Sequence, residues 1–169
     1  MIALQELNAL PVEKVVAQLG AIFEHSPWVA ERAAQARPFG SRQELLEEMR
    51  SVVLRASTEE QLALIRAHPQ LGARGRNRAR LTEASANEQR RAGLDACTDT
   101  EFARLMELNA AYVAKFSFPF ILAVRGHTPE SILNALQSRL NNEAAVERNA
   151  ALHQIGLIGG YRLEDVVEP

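Results

Sequence analysis

The chain has little of several residues and patterns that mark large classes of protein. Its 169 residues hold a single cysteine, Cys97, which excludes a disulfide framework and a CxxC motif and fits a reducing compartment. No apolar run reaches about eighteen residues. Residues 1–10 also lack the basic flank and long apolar stretch of a signal peptide. We therefore expect neither membrane insertion nor secretion.

An excess of charge of either sign is also missing. The 19 lysines and arginines stand against 21 aspartates and glutamates, for a net charge of −2. This balance gives no general attraction to nucleic acid or to an anionic membrane surface. The motifs HExxH, GxxxxGK[ST], GxSxG and GxGxxG are absent, and Val167-Glu168-Pro169 is not a peroxisomal address. A small neutral or anionic ligand is left open, and we expect a cytoplasmic protein.

What the sequence does contain is a recurring pattern of helix starts, in which a capping residue precedes proline or stands three residues before glutamate. Apolar residues of helical period follow these starts. We predict an all-α protein of about seven to nine helices. The predicted starts are Ser26-Pro27, Ser41 with Glu44, Ser57 with Glu60, Thr98 with Glu101, and Thr128-Pro129.

The sequence shows no division into parts. Hydrophobic residues make up 47% of the chain, which is enough to build one sizeable core. Neither a Ser/Gly-rich linker nor a repeat of solenoid period is present. We predict one compact helical domain over residues 1–169.

Three segments carry residues suited to chemistry. His68 ends a helical run, because Pro69 stops helix propagation, and Glu88 follows twenty residues later. The third segment, 116–126, is apolar but too short and interrupted for an ordinary helix. Its Pro119 has no amide hydrogen and frees nearby backbone donors. Together they offer a proton carrier, a carboxylate and a polar rim in an apolar wall.

Each of these features also has a purely structural explanation. His68 in a last helical turn would interact favourably with the helix dipole. Ser85 and Glu88 have the spacing of a capping box, and the aromatic residues of 116–120 suit a core. In a helical scaffold without chemistry, substituting these residues would lower stability and change nothing else.

An arginine-rich stretch, predicted to be a loop, separates His68 from Glu88. Such a stretch is typical of a solvated surface, although it also suits a phosphate or carboxylate contact. The alternative function is therefore a helical nucleic-acid-binding or regulatory module, whose binding would fall steeply with added salt. The arginines concerned are Arg74, Arg76, Arg78 and Arg80.

Several motifs occur along the chain in this order: Ser26-Pro27-Trp28-Val29, Ala36-Arg37-Pro38-Phe39, His68-Pro69-x-Leu71, Ser85-x-x-Glu88-Gln89-x-x-Ala92-Gly93-Leu94, Asn109-x-x-Tyr112, Lys115-Phe116-x-Phe118-Pro119-Phe120-Ile121 and Arg139-Leu140-Asn141-Asn142. In this combination the chain resembles the 2-oxo-4-hydroxy-4-carboxy-5-ureidoimidazoline (OHCU) decarboxylase family over most of its length. The resemblance implies an all-helical, homodimeric carboxy-lyase of urate degradation. It also implies that (S)-allantoin is formed without a cofactor or metal.

The resemblance implies a role for each matched residue. His68 matches the catalytic proton donor of the family, and Glu88 matches its partner carboxylate. The backbone amides around Ile121 would fix the carbonyl groups of the substrate. The implied substrate-binding residues are Pro69, Ser85, Gln89, Phe120, Ile121, Leu122, Ala123, Val124 and Arg162.

Three positions depart from the pattern of the family. Gln70 stands where many members have aspartate, Ser117 stands where glycine is usual, and Gly159-Gly160 replaces better helix formers. Each glycine inside a helix costs about 1 kcal/mol relative to alanine. Two outcomes are therefore open for Arg162: either the last helix continues and Arg162 reaches the substrate, or the helix breaks and Arg162 lies in solvent.

Overall fold

The computed structural model describes residues 1–72 and 81–169, so the predicted arginine-rich loop lies outside the described residues. Within these ranges the chain forms nine α-helices and one 3-10 helix, which confirms the predicted all-α fold. None of the described helices has the length and apolar character needed to cross a membrane. The elements are α1 (Leu4–Ala9), α2 (Val12–Leu19), α3 (Trp28–Ala33), the 3-10 helix (Ala34–Ala36), α4 (Arg42–Arg55), α5 (Thr58–Ala67), α6 (Glu83–Arg91), α7 (Asp99–Phe116), α8 (Pro129–Arg139) and α9 (Ala144–Val166).

In the described ranges, the β-type pairing consists of a single parallel bridge between Ile2 and Val167. The Ile2 N–H donates to the Val166 carbonyl at 2.8 Å, and the Glu168 N–H donates to the Ile2 carbonyl at 3.0 Å. The two ends of the described chain are thus held side by side.

The described residues pack into two compact units. Unit 1 contains Met1–Ala67 and Ile155–Pro169, and unit 2 contains His68–Gln154. Helix α9 therefore contributes its first part to unit 2 and its remainder to unit 1. The predicted organisation as one domain over residues 1–169 stays a prediction.

The buried face of α4 shows the helical periodicity of its apolar residues. On α4, Leu45, Met49 and Val53 follow one another at intervals of four residues and are at most 3% exposed. On α7 the apolar residues do not all lie inside. Tyr112 is fully buried, whereas Val113, one residue further round the helix, is 40% exposed.

Side-chain caps begin four helices where the sequence predicts them. At the start of α7, Thr98 and Glu101 form a complete capping box. The hydrogen bonds from Thr98 hold the pKa of the Glu101 carboxyl below its usual range. The confirmed starts are Ser41 before α4, Ser57 before α5, Thr98 before α7, and Thr128-Pro129 at α8.

The start of α6 is not where the spacing of Ser85 and Glu88 predicts it. Thr82 is the capping residue, and its hydroxyl oxygen accepts from the Ser85 N–H at 3.3 Å. The helix begins at Glu83, so Glu88 lies inside α6 rather than at its start. The capping-box interpretation of Ser85 with Glu88 is therefore wrong.

The start of α3 is also misplaced by the sequence pattern. The helix begins at Trp28, and no side chain caps it. The Ser26 hydroxyl instead donates to the Glu24 carbonyl at 3.0 Å. A serine before proline therefore supports the preceding turn here rather than the helix.

Helix α9 continues through Gly159 and Gly160, so the alternative in which these glycines break the helix is wrong. A Cβ at position 159 would lie 3.0 Å from Phe23 Cζ, and one at position 160 would lie 3.1 Å from Leu46 Cδ2. The glycines let α9 approach these side chains closely within unit 1. Packing thereby offsets their low helix propensity.

Arg162 lies on the continuous part of α9 and forms a buried ion pair within unit 1. Its Nη1 atom lies 2.6 Å from Glu24 Oε2 and 3.4 Å from the Ile22 carbonyl oxygen. The two charged residues are 7% and 1% exposed. Arg162 is therefore not in solvent, and two charges this deeply buried depend on each other.

We expect Gly159→Ala to destabilise the protein although alanine favours a helix. The added Cβ meets the ring of Phe23, which is 2% exposed and has little room to move. Overpacking of about 1–3 kcal/mol should outweigh the propensity gain of about 1 kcal/mol. Urea denaturation measures the difference, and a rise in the free energy of unfolding would contradict the close approach.

We expect Glu24→Gln to lower the free energy of unfolding by about 3–5 kcal/mol, because it removes the buried carboxylate that pairs with the Arg162 guanidinium. The matched control is Glu107→Gln, which breaks an exposed pair with Arg104. That change should amount to less than about 1 kcal/mol. Equal effects of the two variants in thermal or urea denaturation would show that the buried pair has no special weight.

Candidate active site

Residues 68–72 follow α5 and carry the candidate proton donor. They are called segment 68–72 below. Helix α5 ends at Ala67, and His68 is the next residue, as the following Pro69 predicts. His68 is only 7% exposed. Gly72 has a φ of +79°, and a Cβ there would lie 2.5 Å from Leu105 Cδ2 on α7. Only glycine allows the segment to turn this close to α7.

Two side-chain amides hold segment 68–72 in place. Gln89 on α6 accepts a hydrogen bond from the Gly72 N–H at 3.0 Å through Oε1 and donates through Nε2 to the Gln70 carbonyl at 3.3 Å. Asn109 on α7 donates to the Leu71 carbonyl at 3.0 Å. The backbone beyond His68 is therefore fixed from both helices.

Helix α6 carries three of the predicted site residues on one side. Ser85, Glu88 and Gln89 are spaced i, i+3 and i+4, which places them on a common face. Gln89 on this face contacts segment 68–72, and Ser85 is 3% exposed. Glu88 is partly exposed. The helix thus presents a carboxylate on the face that meets the histidine-bearing segment.

The second candidate binding element, residues 120–124, follows the end of α7; we call it segment 120–124. Helix α7 ends at Phe116, and Ser117 adopts the left-handed conformation with a φ of 62°. This geometry explains why glycine suits position 117. Pro119 follows, and segment 120–124 forms no regular secondary structure. Its residues are at most 8% exposed.

Hydrogen bonds account for only part of the polar backbone of segment 120–124. The Ala123 N–H donates to Gln154 Oε1 at 2.9 Å, and the Ile121 carbonyl accepts from Arg139 Nη1 at 2.6 Å. The N–H groups of Ile121, Leu122 and Val124 donate to none of the described residues. Buried N–H groups are rarely left unpaired in native proteins, so these donors are suited to a ligand.

Helix α7 contacts both segments within unit 2. Asn109 and Tyr112 lie one turn apart on the same face of α7. Asn109 bonds to Leu71 in segment 68–72, and the Tyr112 ring lies 5.3 Å from the Phe120 ring in segment 120–124, with an edge-to-face geometry. One helix face therefore supports both candidate elements.

The predicted site residues fall into two groups. Unit 2 contains His68, Pro69, Ser85, Glu88, Gln89 and segment 120–124. Arg162 belongs to unit 1, where it pairs with Glu24; its contact with a substrate stays a prediction. The roles of the other residues also stay predictions.

Residue patterns alone did not assign Asn109, Arg139 or Gln154 a role. Asn109 and Arg139 stand in motifs that the sequence made visible, namely Asn109-x-x-Tyr112 and Arg139-Leu140-Asn141-Asn142. Those motifs were the available signal. The sequence contains no comparable signal for Gln154, because a glutamine on a long helix is typical of a solvated face.

Comparison with known proteins places this chain in a family. Residues 8–164 match the OHCU decarboxylase family. A 2-oxo-4-hydroxy-4-carboxy-5-ureidoimidazoline decarboxylase from Haloferax volcanii is 40% identical over 164 residues, which cover 97% of this chain and 95% of that protein. Both the family match and this relative therefore extend over nearly the whole chain.

Two solved structures have a similar fold. The crystal structure of an (S)-allantoin synthase superimposes with a TM-score of 0.81 at 29% identity, and covers 99% of this chain and 54% of that one. The structure of an OHCU decarboxylase in the presence of (S)-allantoin superimposes with a TM-score of 0.70 at 25% identity, and covers 85% and 93%. From the family match and the full-length relative, we conclude that this chain belongs to the OHCU decarboxylase family.

Proposed function

We propose that the protein is a carboxy-lyase that converts OHCU to (S)-allantoin during urate degradation. One observation carries the assignment to unit 2. The face of α7 that contacts the segment with buried His68 also contacts a segment with three N–H groups that have no partner among the described residues. A proton carrier and a row of donors are what a cofactor-free decarboxylation of a carbonyl-rich ring requires.

The chemistry needs little from the protein beyond position and one proton. Breaking the bond to the carboxylate leaves an electron pair on the ring carbon. The neighbouring C=N group of the substrate accepts this pair by delocalisation, so the substrate provides its own electron sink. The pair forms a C=C bond to the carbon of that C=N group, while the nitrogen takes the C=N electrons and a proton, so that an enol results. A proton must then reach the former C=N carbon from one face, as the hydroxyl loses its proton and becomes a carbonyl, since delivery to both faces would give racemic allantoin.

His68 is the proposed donor of that proton. An imidazole has an ordinary pKa near neutrality, which suits general acid–base work. The hydrogen bonds of Gln89 and Asn109 to the backbone that follows His68 support this role, because they fix the backbone from which the imidazole side chain extends. Glu88, on the face of α6 that meets this segment, would orient the ring and favour its protonated form.

Substrate binding is proposed to use the N–H groups of segment 120–124 that have no partner among the described residues. The N–H groups of Ile121, Leu122 and Val124 would donate to carbonyl oxygens of the ureido group and ring. Phe120 and Ala123 would complete the apolar wall, together with Pro69. Ser85 and Gln89 would contact the substrate from α6, although both bonds of the Gln89 side chain already hold segment 68–72.

We also propose that the protein acts as a homodimer in the cytoplasm. The single cysteine, Cys97, is buried and free, which fits a reducing compartment. The homodimer rests on resemblance to the family. Light scattering coupled to size-exclusion chromatography measures the mass directly, and a monomer of 18.7 kDa would contradict this proposal.

We expect His68→Asn to abolish acceleration of OHCU decarboxylation while unfolding stays cooperative. The substrate is generated in place by uricase and the following hydrolase, and circular dichroism reports the chirality of the allantoin formed. The matched control is His153→Asn on α9, an exposed histidine, which should retain full activity. Near-wild-type turnover by His68→Asn would remove His68 from the mechanism.

We expect Glu88→Gln to lower turnover at least about a hundredfold, the usual scale for a positioned acid–base group. Glutamine has a similar helix propensity inside α6, so the melting temperature should change little. Glu83→Gln in the first turn of the same helix is the control and should keep its activity. If Glu88→Gln also keeps its activity, the carboxylate has no catalytic role.

A further inference from the structure

Arg139, the last residue of α8, holds one point of segment 120–124. Its Nη1 atom donates to the Ile121 carbonyl at 2.6 Å, and its guanidinium carbon lies 4.6 Å from the centre of the Phe120 ring. The cation therefore both bonds to the segment and packs on it. Neither contact is part of the proposed chemistry.

The other side of the Arg139 guanidinium faces a buried carboxylate. Arg139 Nε donates to Glu147 Oε1 at 2.7 Å, and Asn142 Nδ2 donates to Glu147 Oε2 at 2.8 Å. The Tyr112 hydroxyl donates to the same carboxylate. Glu147 is fully buried, so its charge depends on these partners.

The tyrosine is a fixed donor in this group. Burial, and then the hydrogen bond to the Glu147 carboxylate, raise the pKa of Tyr112 well above its usual range. The hydroxyl thus stays protonated at neutral pH and keeps donating. The Glu147 carboxylate that holds Arg139 is therefore itself held by a neutral hydroxyl donor and a side-chain amide.

The bond to the Ile121 carbonyl also fixes an N–H group that it does not touch. The carbonyl of Ile121 and the N–H of Leu122 belong to one trans peptide group, which is planar and points them in opposite directions. Holding the carbonyl toward Arg139 consequently aims the Leu122 N–H away from Arg139. That N–H is one of the donors without a partner among the described residues.

We propose that Arg139, held by Glu147, is a positioning residue that aims the Leu122 N–H at an oxygen of the substrate. This inference rests on the proposed function, since it assigns a role within the same binding segment. Arg139 acts through the peptide group and does not touch the substrate. Gln154 performs a parallel task one peptide further on, by holding the Ala123 N–H.

An arginine is required because two acceptors lie on different sides of one cation. Its planar fork can donate to Glu147 and Ile121 together while its flat face stacks on Phe120. A lysine has one ammonium group and no flat face. It can keep a positive charge near Glu147, but it cannot hold all three contacts.

The test compares Arg139→Gln and Arg139→Lys with the wild type in three measurements. These are KM and kcat for OHCU, the Kd for (S)-allantoin by calorimetry, and the NMR signal of the Leu122 amide. We expect Arg139→Gln to raise KM and Kd roughly two- to tenfold, the scale of a lost hydrogen bond between neutral groups. The fall in kcat should be smaller, and the Leu122 signal should shift and lose its response to allantoin.

Arg139→Lys separates the effect of the guanidinium geometry from the effect of the positive charge. It retains a cation beside Glu147 and should fold even if Arg139→Gln does not. We expect it to raise KM and Kd and to move the Leu122 signal, because the bond to Ile121 is lost. Wild-type KM, Kd and Leu122 signal in Arg139→Lys would overturn the inference.

Ile132→Val is the matched control for a loss of stability alone. Ile132 is a fully buried residue on α8, and the smaller side chain should lower stability without changing KM or the Leu122 signal. If it raises KM as much as the Arg139 variants do, Arg139 has only a structural role.

Failure of the proposed function has a different signature. Wild-type protein would then give no turnover of OHCU and no binding of (S)-allantoin. An unchanged Leu122 signal in both Arg139 variants would instead refute the positioning role, whether or not the wild type is active.

Discussion

The fully buried carboxylate of Glu147 is the constraint on which unit 2 depends. It lies on α9 and receives hydrogen bonds from Tyr112 on α7, Arg139 on α8 and Asn142 in the connection between α8 and α9. An anion with no access to water is stable only while such partners remain, and removing one ion-pair partner costs about 3–5 kcal/mol. The three helices and segment 120–124 are therefore tied to a single charge.

The structure separates the groups that would do chemistry from the groups that hold them. His68 and the N–H donors of segment 120–124 lie outside regular helices, whereas Asn109, Gln89 and Arg139, which fix the surrounding backbone, lie on helices. Rigid helices can hold short irregular segments to a precision that the segments themselves lack. Because side-chain amides and charged groups hold these segments, such groups lie buried around a site whose own lining is mainly apolar.

Helical periodicity and capping signals predicted the fold class and four of the nine helix starts in the described ranges, because both depend on residues close in sequence. The start of α6 was missed because Ser85 and Glu88 match the capping spacing, while the actual cap, Thr82, lies one turn earlier. Glu147 could not be recognised, since a glutamate on a helix usually faces water. Its burial follows from partners that lie up to 35 residues away. Likewise, the sequence alone indicates a helix break at Gly159, and only the close packing of Phe23 explains why a glycine lies inside α9.

The bridge between Ile2 and Val167 places both ends of the described chain next to each other. Adjacent ends are the geometric condition for circular permutation. A short peptide could join the two ends, and the chain could then be opened in an exposed loop while the backbone keeps its path. The order of the helices along the chain is thus separable from their arrangement in space, which makes the fold a workable scaffold for rearranged versions of the same sequence.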